Sequence, residues 1–303
     1  MRFDVTILGS SSATPIYNRN PTSQALNINE RVYLIDCGEG TQQQMLRFEV
    51  KPSKIDHIFI SHLHGDHYLG LIGLLSSMHL NGRKKAMQLF GPPDLKKIID
   101  VHFEFSWTNL NYEINFYPLQ ADFSETILDN QDITVETIIL NHRIPCTGFV
   151  FRQKNPLLKL DAAQLEHYQV GRNQFFKLKQ GGDFVTENGE VIPNAAITIQ
   201  PEKPKSYAYC SDTLVGNEYL PQIQNVDLLY HEATFMHDLL ARAQETHHTT
   251  ALQAGEIALK AQVKMLLIGH FSARYKSLEG LLEEARSIFK QTELAIEGKV
   301  FNI

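Results

Sequence analysis

Apolar residues along the chain fall into two kinds of segment. Short runs rich in Val, Ile, Phe and Tyr read as strands, and longer stretches with apolar positions every three or four residues read as helices. Strands are expected over 3–8, 24–29, 31–35, 55–60, 87–90, 114–119, 133–140, 148–153, 206–209, 226–230, 265–268 and 299–303. Helices are expected over 41–49, 69–80, 93–104, 250–261 and 277–290. Strands separated by helical patterns predict a layered α/β fold. The stretch 155–194 breaks that rhythm, with one short helical piece (LDAAQLEHY), a glycine turn at Gly181 and Gly182 and no strong core periodicity. It reads as an inserted arm.

A second pattern is superimposed on the first, in which residues that bind metals follow apolar strands directly. His62 follows IFIS, Asp212 follows YCS, His231 and Glu232 follow LLY, His270 follows LLIG, and His142 follows Leu140 and Asn141. In open α/β sheets the carboxyl ends of strands form the rim where sites are built, so these positions are expected to converge. The densest group is His62-Leu63-His64-Gly65-Asp66-His67, between a strand and a helix. Imidazoles suit zinc. Two histidines spaced by two residues can grip one ion while the following Asp-His pair faces another, so the spacing points to two metals.

Composition narrows the class without naming the chemistry. The 303 residues are 43% hydrophobic, 20% charged and 10% aromatic, ordinary globular usage that argues against disorder and fibrous classes. The apolar run 69–75 is far shorter than the roughly 20 residues that span a bilayer, so no membrane span is expected. The opening MRFDVTILGSS carries Asp4 in too short an apolar run for a secretory signal and reads as a first strand, which gives the expectation of a cytoplasmic protein. Cys37, Cys146 and Cys210 form no C-x-x-C pair and are expected to be buried thiols. The net charge of −6 leaves no global attraction to a polyanion, so a nucleic-acid contact needs a local basic patch.

The H-x-H-x-D-H segment resembles the signature motif of the metallo-β-lactamase superfamily, and the resemblance extends along most of the chain. It implies an α/β fold of the metallo-β-lactamase type, an αβ/βα four-layer sandwich over 1–303 carrying an inserted exosite arm over 155–194. By the same resemblance His142 is the third histidine of a first metal site with His62 and His64. Asp212 is the bridging carboxylate, and His270 closes a second site with Asp66 and His67. A histidine at position 64, where diiron members carry glutamate, implies two zinc ions. Three later segments, HEATF at 231–235, HHTT at 247–250 and GHFSARY at 269–275, are similar to motifs of the ribonuclease Z family, as is LGSSSATP at 8–15.

That family resemblance implies an endoribonuclease that removes the 3′ trailer from precursor tRNA, working as a homodimer. Phosphodiester hydrolysis needs an activated water, neutralised charge on the phosphate oxygens and a proton for the leaving oxygen. Asp66 is expected to orient the water while remaining a ligand. His247 is expected to protonate the leaving oxygen, oriented by Glu232, with His248 left structural. Ser272, Arg274 and Tyr275 are expected to contact phosphate. Between Arg152 and Gln180 six basic residues face two acidic ones, a local charge of +4, so Lys159, Arg172, Lys177 and Lys179 are expected to bind tRNA from the arm. One departure from the family pattern is Gly171-Arg172-Asn173-Gln174, where a Gly-Pro element is expected. Two other readings remain at this point: a small-molecule metallohydrolase of the same fold, such as a thioesterase or arylsulfatase-like esterase, and a zinc-containing RNA-binding module.

Overall fold

Two seven-stranded sheets carry most of the chain in the computed structural model, which describes residues 2–155, 157–201 and 203–303. Pro156, in the expected arm, lies outside the described residues. The first sheet runs in the order Val300–Asn302, Phe3–Gly9, Ser23–Ile28, Arg31–Cys37, Ile55–Phe59, Met87–Gly91, Ile114–Pro118. Its first four strands pair antiparallel and the rest parallel. The second runs Thr292–Leu294, Met265–Gly269, Leu228–Glu232, Ser206–Cys210, Cys146–Gln153, Ile133–Leu140, Thr126–Asp129.

The two sheets face each other through an aromatic layer. Phe59 stacks on Phe90 at 4.7 Å and meets Phe149 and Phe151, while Tyr209 stacks on Tyr230 at 5.0 Å. The Tyr209 hydroxyl crosses to donate to Asp36 Oδ2 at 2.6 Å. Helices cover the outer faces. Leu71–Leu80 buries Leu71, Leu74, Leu75 and Met78, the spacing of one helical stripe, against the first sheet. Ala251–Lys260 and Glu279–Ile288 cover the second. The layers are therefore helix, sheet, sheet, helix, the four-layer α/β sandwich expected from the sequence.

Local chemistry explains where elements begin and bend. Thr250 caps Ala251–Lys260 in a reciprocal box with Gln253. The helix expected over 69–80 begins at Leu71, and a separate short helix, Gly65–Tyr68, precedes it; between them lies Gly70, where a Cβ would stand 2.2 Å from the Gly38 carbonyl oxygen. Leu240–Thr246 is a helix that periodicity misses because Ala243 is its one buried residue. The strand expected over 226–230 runs instead from Leu228 to Glu232. That shift carries His231 and Glu232 on the pleat, where successive side chains face opposite ways. His231 turns to the Tyr219 hydroxyl, at 2.9 Å from Nε2.

The chain divides into two compact units, and the smaller takes in 130–133 and 152–204. Within this unit Lys159–Leu160 pairs with Thr198–Ile199, and Phe184–Val185 with Val191–Ile192. Val170, Leu178, Phe184, Ile192 and Ile197 form a core of its own. The Asn194 amide ties it together, donating to the carbonyls of Leu178 at 2.8 Å and Gly182 at 2.9 Å. The stretch that shows no strong core periodicity along the chain therefore folds around a small core. These core residues come from several short elements, so no single one is long enough to show a period.

Candidate metal centre

His62, His142, Asp212 and His270 lie just beyond the carboxyl ends of strands, His64 follows in the same loop, Asp66 and His67 lie on the short helix Gly65–Tyr68, and two groups of donor atoms result. His62 Nε2 and His142 Nε2 each stand 3.1 Å from His64 Nδ1. Asp212 Oδ2 lies 3.6 Å from His62 Nε2 and 3.8 Å from His142 Nε2. Zinc–nitrogen bonds of about 2.0–2.1 Å put neighbouring atoms of a tetrahedron roughly 3.3 Å apart, which this spacing matches. In the second group Asp212 Oδ1 lies 3.4 Å from His67 Nε2 and 3.2 Å from His270 Nε2. Asp66 Oδ2 completes it, 3.6 Å from His67 Nε2 and 3.3 Å from His270 Nε2. Asp212 thus turns one oxygen to each group.

The electrostatics fit cations in both places. His67 Nε2 and Asp212 Oδ1 are buried without a hydrogen-bond partner, a costly state for polar atoms that a metal ion would relieve. Burial pushes His62 well below its ordinary pKa and His142 down to about 4, so both offer neutral imidazoles as a metal requires. His67 behaves oppositely. Burial disfavours its charge, but Asp212, Asp66 and Asp36 around it raise its pKa well above the ordinary value. Three carboxylates there call for positive charge, which a proton on His67 supplies and a metal would replace.

A supporting layer fixes the ligands. Asp36, in the left-handed region at φ 54°, receives His67 Nδ1 at 2.7 Å. It also accepts the Ser61 N–H at 2.7 Å and the Ser61 hydroxyl at 2.9 Å. The carboxylate orients the ring and makes it a stronger donor. His270, also left-handed at φ 60°, meets the Thr234 hydroxyl through Nδ1 at 2.9 Å, and Thr234 donates onward to Glu232 Oε2 at 2.6 Å. The Ala13 N–H donates to Asp66 Oδ2 at 2.7 Å. Sequence reading missed Asp36, although an aspartate ending the apolar run VYLID was a visible signal.

The pairing of Glu232 with His247 is corrected. Glu232 Oε1 lies 2.9 Å from His248 Nδ1, and both residues are buried. The Glu232 carboxylate overcomes burial and raises His248 to about 9. Asp212, His248 and His270 place donor atoms within 4.8 Å of one another, so His248 borders the metal ligands. His247 ends the helix Leu240–Thr246 in the left-handed region at φ 55°. Its ring turns outward to Asn141 Oδ1 at 3.2 Å, and its carbonyl receives His142 Nδ1 at 3.0 Å. The reversal at His247 sends the two adjacent rings to different sides, which the sequence HHTT does not reveal.

Of the expected phosphate contacts, Ser272 and Arg274 are brought together, Arg274 Nε donating to Ser272 Oγ at 3.1 Å. Arg274 lies over the Phe235 ring at 5.1 Å, and that ring meets His248 at 6.0 Å. The Tyr275 hydroxyl instead accepts the Met236 N–H at 2.9 Å. In the smaller unit Lys159, Arg172, Lys177 and Lys179 are all exposed. Cys37, Cys146 and Cys210 are buried free thiols. Among the described residues no helix is long and apolar enough to cross a membrane.

Comparison with known proteins agrees with this geometry. A family model described as anti-Pycsar protein Apyc1 matches residues 3–294. A protein of Bacteroides thetaiotaomicron named ribonuclease Z is 44% identical over 302 residues, covering 100% of this chain and 96% of the relative. The ribonuclease Z of Cytophaga hutchinsonii is 47% identical over 304 residues, covering 100% and 97%. Among solved structures, the short form of human tRNase Z superposes with a TM-score of 0.73 at 26% identity, covering 98% of both chains. The metallo-β-lactamase fold protein YhfI of Bacillus subtilis gives 0.69 at 19% identity over 99% of both chains, a likeness of fold.

Proposed function

The chain belongs to the ribonuclease Z family, and over residues 3–294 to the family described as anti-Pycsar protein Apyc1; from that membership we infer that it is a metal-dependent tRNA 3′-processing endoribonuclease. The observation that carries the reading is the pair of donor groups sharing Asp212, beside a buried Glu232–His248 pair, in a full-length relative of ribonuclease Z. A small-molecule hydrolase finds no support of that kind.

Two zinc ions would fit these groups, one held by His62, His64, His142 and Asp212 and the other by Asp66, His67, His270 and Asp212. Bound there, they would supply an activated water and neutralise charge on the phosphodiester. The chain's own groups do the rest. The Asp66 carboxylate, steadied by the Ala13 N–H, accepts a hydrogen bond from the attacking water and orients it. His248 carries its proton on the ring that borders the ligands, and Glu232 stabilises that charged form, so His248 donates to the departing 3′ oxygen. Arg274, held over Phe235, offers a planar fork to a phosphate oxygen, with Ser272 beside it.

Exposed Lys159, Arg172, Lys177 and Lys179 give the smaller unit a basic surface, and we assign them to tRNA phosphates. The arm spans 155–194. The protein acts as a cytoplasmic homodimer in which one subunit's arm presents tRNA to its partner's active site; the family resemblance supports this assembly. Incubating the purified protein with a labelled tRNA precursor bearing a 3′ trailer, alongside metal analysis, tests the reading. Release of the intact trailer by protein holding two zinc ions per chain is expected. No cleavage by fully metallated protein overturns it.

A further inference from the structure

Glu297 lies on the link between the last strand of one sheet, Thr292–Leu294, and the edge strand of the other, Val300–Asn302. Its carboxylate does not face solvent alone. Oε1 accepts the Asn20 N–H at 2.5 Å, Oε2 accepts the Gln44 side-chain amide, and the Ser10 N–H also faces it. Two cations look on, Arg19 from the neighbouring loop and Arg47 from the helix Thr41–Arg47.

Asn20 and Ser10 are the two ends of one loop, closed by the Ser10 and Ser11 amides donating to the Asn20 carbonyl at 3.0 and 2.9 Å. Between them Ala13, Thr14, Pro15, Tyr17 and Asn18 are exposed, and Ala13, Tyr17 and Asn18 hold φ of 62°, 52° and 63°. A loop with three such non-glycine residues keeps its shape only if its surroundings impose it. The loop meets the centre at two places. Ala13 donates to Asp66, and Ser12, Phe271 and Ser10 exchange backbone bonds at 2.9–3.0 Å beside the ligand His270. Arg19 Nη2 reaches the Tyr275 carbonyl at 2.9 Å.

We propose that Glu297 is a positioning residue for hydrolysis: by gripping both ends of the 10–20 loop it fixes the Ala13 amide against Asp66. The inference rests on the hydrolytic reading of the metal centre and not on the choice of RNA. Only the ionised carboxylate accepts from all of its donors at once. Burial pushes Glu297 up to about 7, so the grip loosens as pH falls through neutrality.

The test compares the wild-type holoenzyme with Glu297→Gln, using bis(p-nitrophenyl) phosphate and a trailer-bearing tRNA precursor from about pH 5 to 9. The amide leaves one acceptor oxygen where the carboxylate has two. Above neutrality kcat should fall roughly 10- to 100-fold on both substrates, as a small misplacement of a catalytic group costs, with KM and zinc content unchanged. The acid-side fall in wild-type activity near pH 7 should be missing from the variant. Wild-type kcat and profile in the variant, or a loss that tracks zinc, overturn the proposal. Gln44→Leu provides a second measure, because removing a donor to the charged carboxylate raises its pKa. The acid limb should then move to higher pH, and a limb that stays put overturns the proposal whether or not the first variant folds. Wild-type protein that hydrolyses the diester but leaves precursor tRNA intact counts against the RNA reading alone, since the Glu297 comparison is complete on the small substrate.

Discussion

His248 Nδ1 and Glu232 Oε1 stand 2.9 Å apart inside the protein, with Thr234 and Thr213 bonded to the same carboxylate. Four donors on one buried carboxylate make it a rigid anchor, so the His248 ring has one orientation. Replacing His248 with Ala should preserve both zinc ions and slow precursor cleavage by roughly 10²–10⁴-fold, the usual worth of a general acid. His247→Ala should cost less than about tenfold, because its structural contact is made by its carbonyl. Single-turnover rates on the two variants, each with its zinc content, check the assignment; the reverse ranking would restore His247.

Asp36 holds His67 from behind, through Nδ1, while Nε2 faces the second group of ligands. Asp36→Asn removes the charge that makes the ring a strong donor and should weaken zinc binding at that place about 10- to 100-fold. Titration with a competing chelator should find one ion lost before the other. Two ions released together at wild-type affinity would contradict the arrangement.

Glu297 also sets a dependence of stability on pH. Its folded pKa is raised to about 7, above the value of an exposed glutamate, because burial disfavours the charge. The folded state therefore binds this proton more tightly than the unfolded state does. The associated stability is fully present below the unfolded pKa and is lost as pH rises through about 7. Glu297→Gln, which has no charge to bury, should gain in Tm relative to wild type between about pH 5 and pH 8. Thermal melts at both ends of that window decide it, and a constant difference would mean the carboxyl titrates normally.

Lys177 and Lys179 are exposed on the short helix Phe175–Lys179, while Leu178 between them is fully buried. Lys177→Glu with Lys179→Glu should therefore spare the unit's core, weaken precursor tRNA binding and flatten its salt dependence by nearly one counterion per lost contact. Hydrolysis of bis(p-nitrophenyl) phosphate should be unaffected. Excising 157–179 is a poorer test, since it would take Val170 and Leu178 out of that core.

Much of this protein is legible along the chain because the physics involved is local. Strand and helix periods and the convergence of His62, His142, Asp212 and His270 on strand ends follow from short-range pattern and from the rule that α/β sheets build sites at their carboxyl edge. The H-x-H-x-D-H spacing alone places four ligand residues. What the sequence does not settle depends on backbone reversals and on neighbours distant in the chain. Whether Glu232 meets His247 or His248 turns on one residue at φ 55°. Asp36 is a supporting carboxylate only because the strand Arg31–Cys37 lies beside Ile55–Phe59, which leads to His62 and His67. Glu297 meets Asn20 across 277 positions because the closing link crosses from one sheet to the other. The core of the smaller unit escapes notice for the same reason: its residues are apolar, but only folding brings them together.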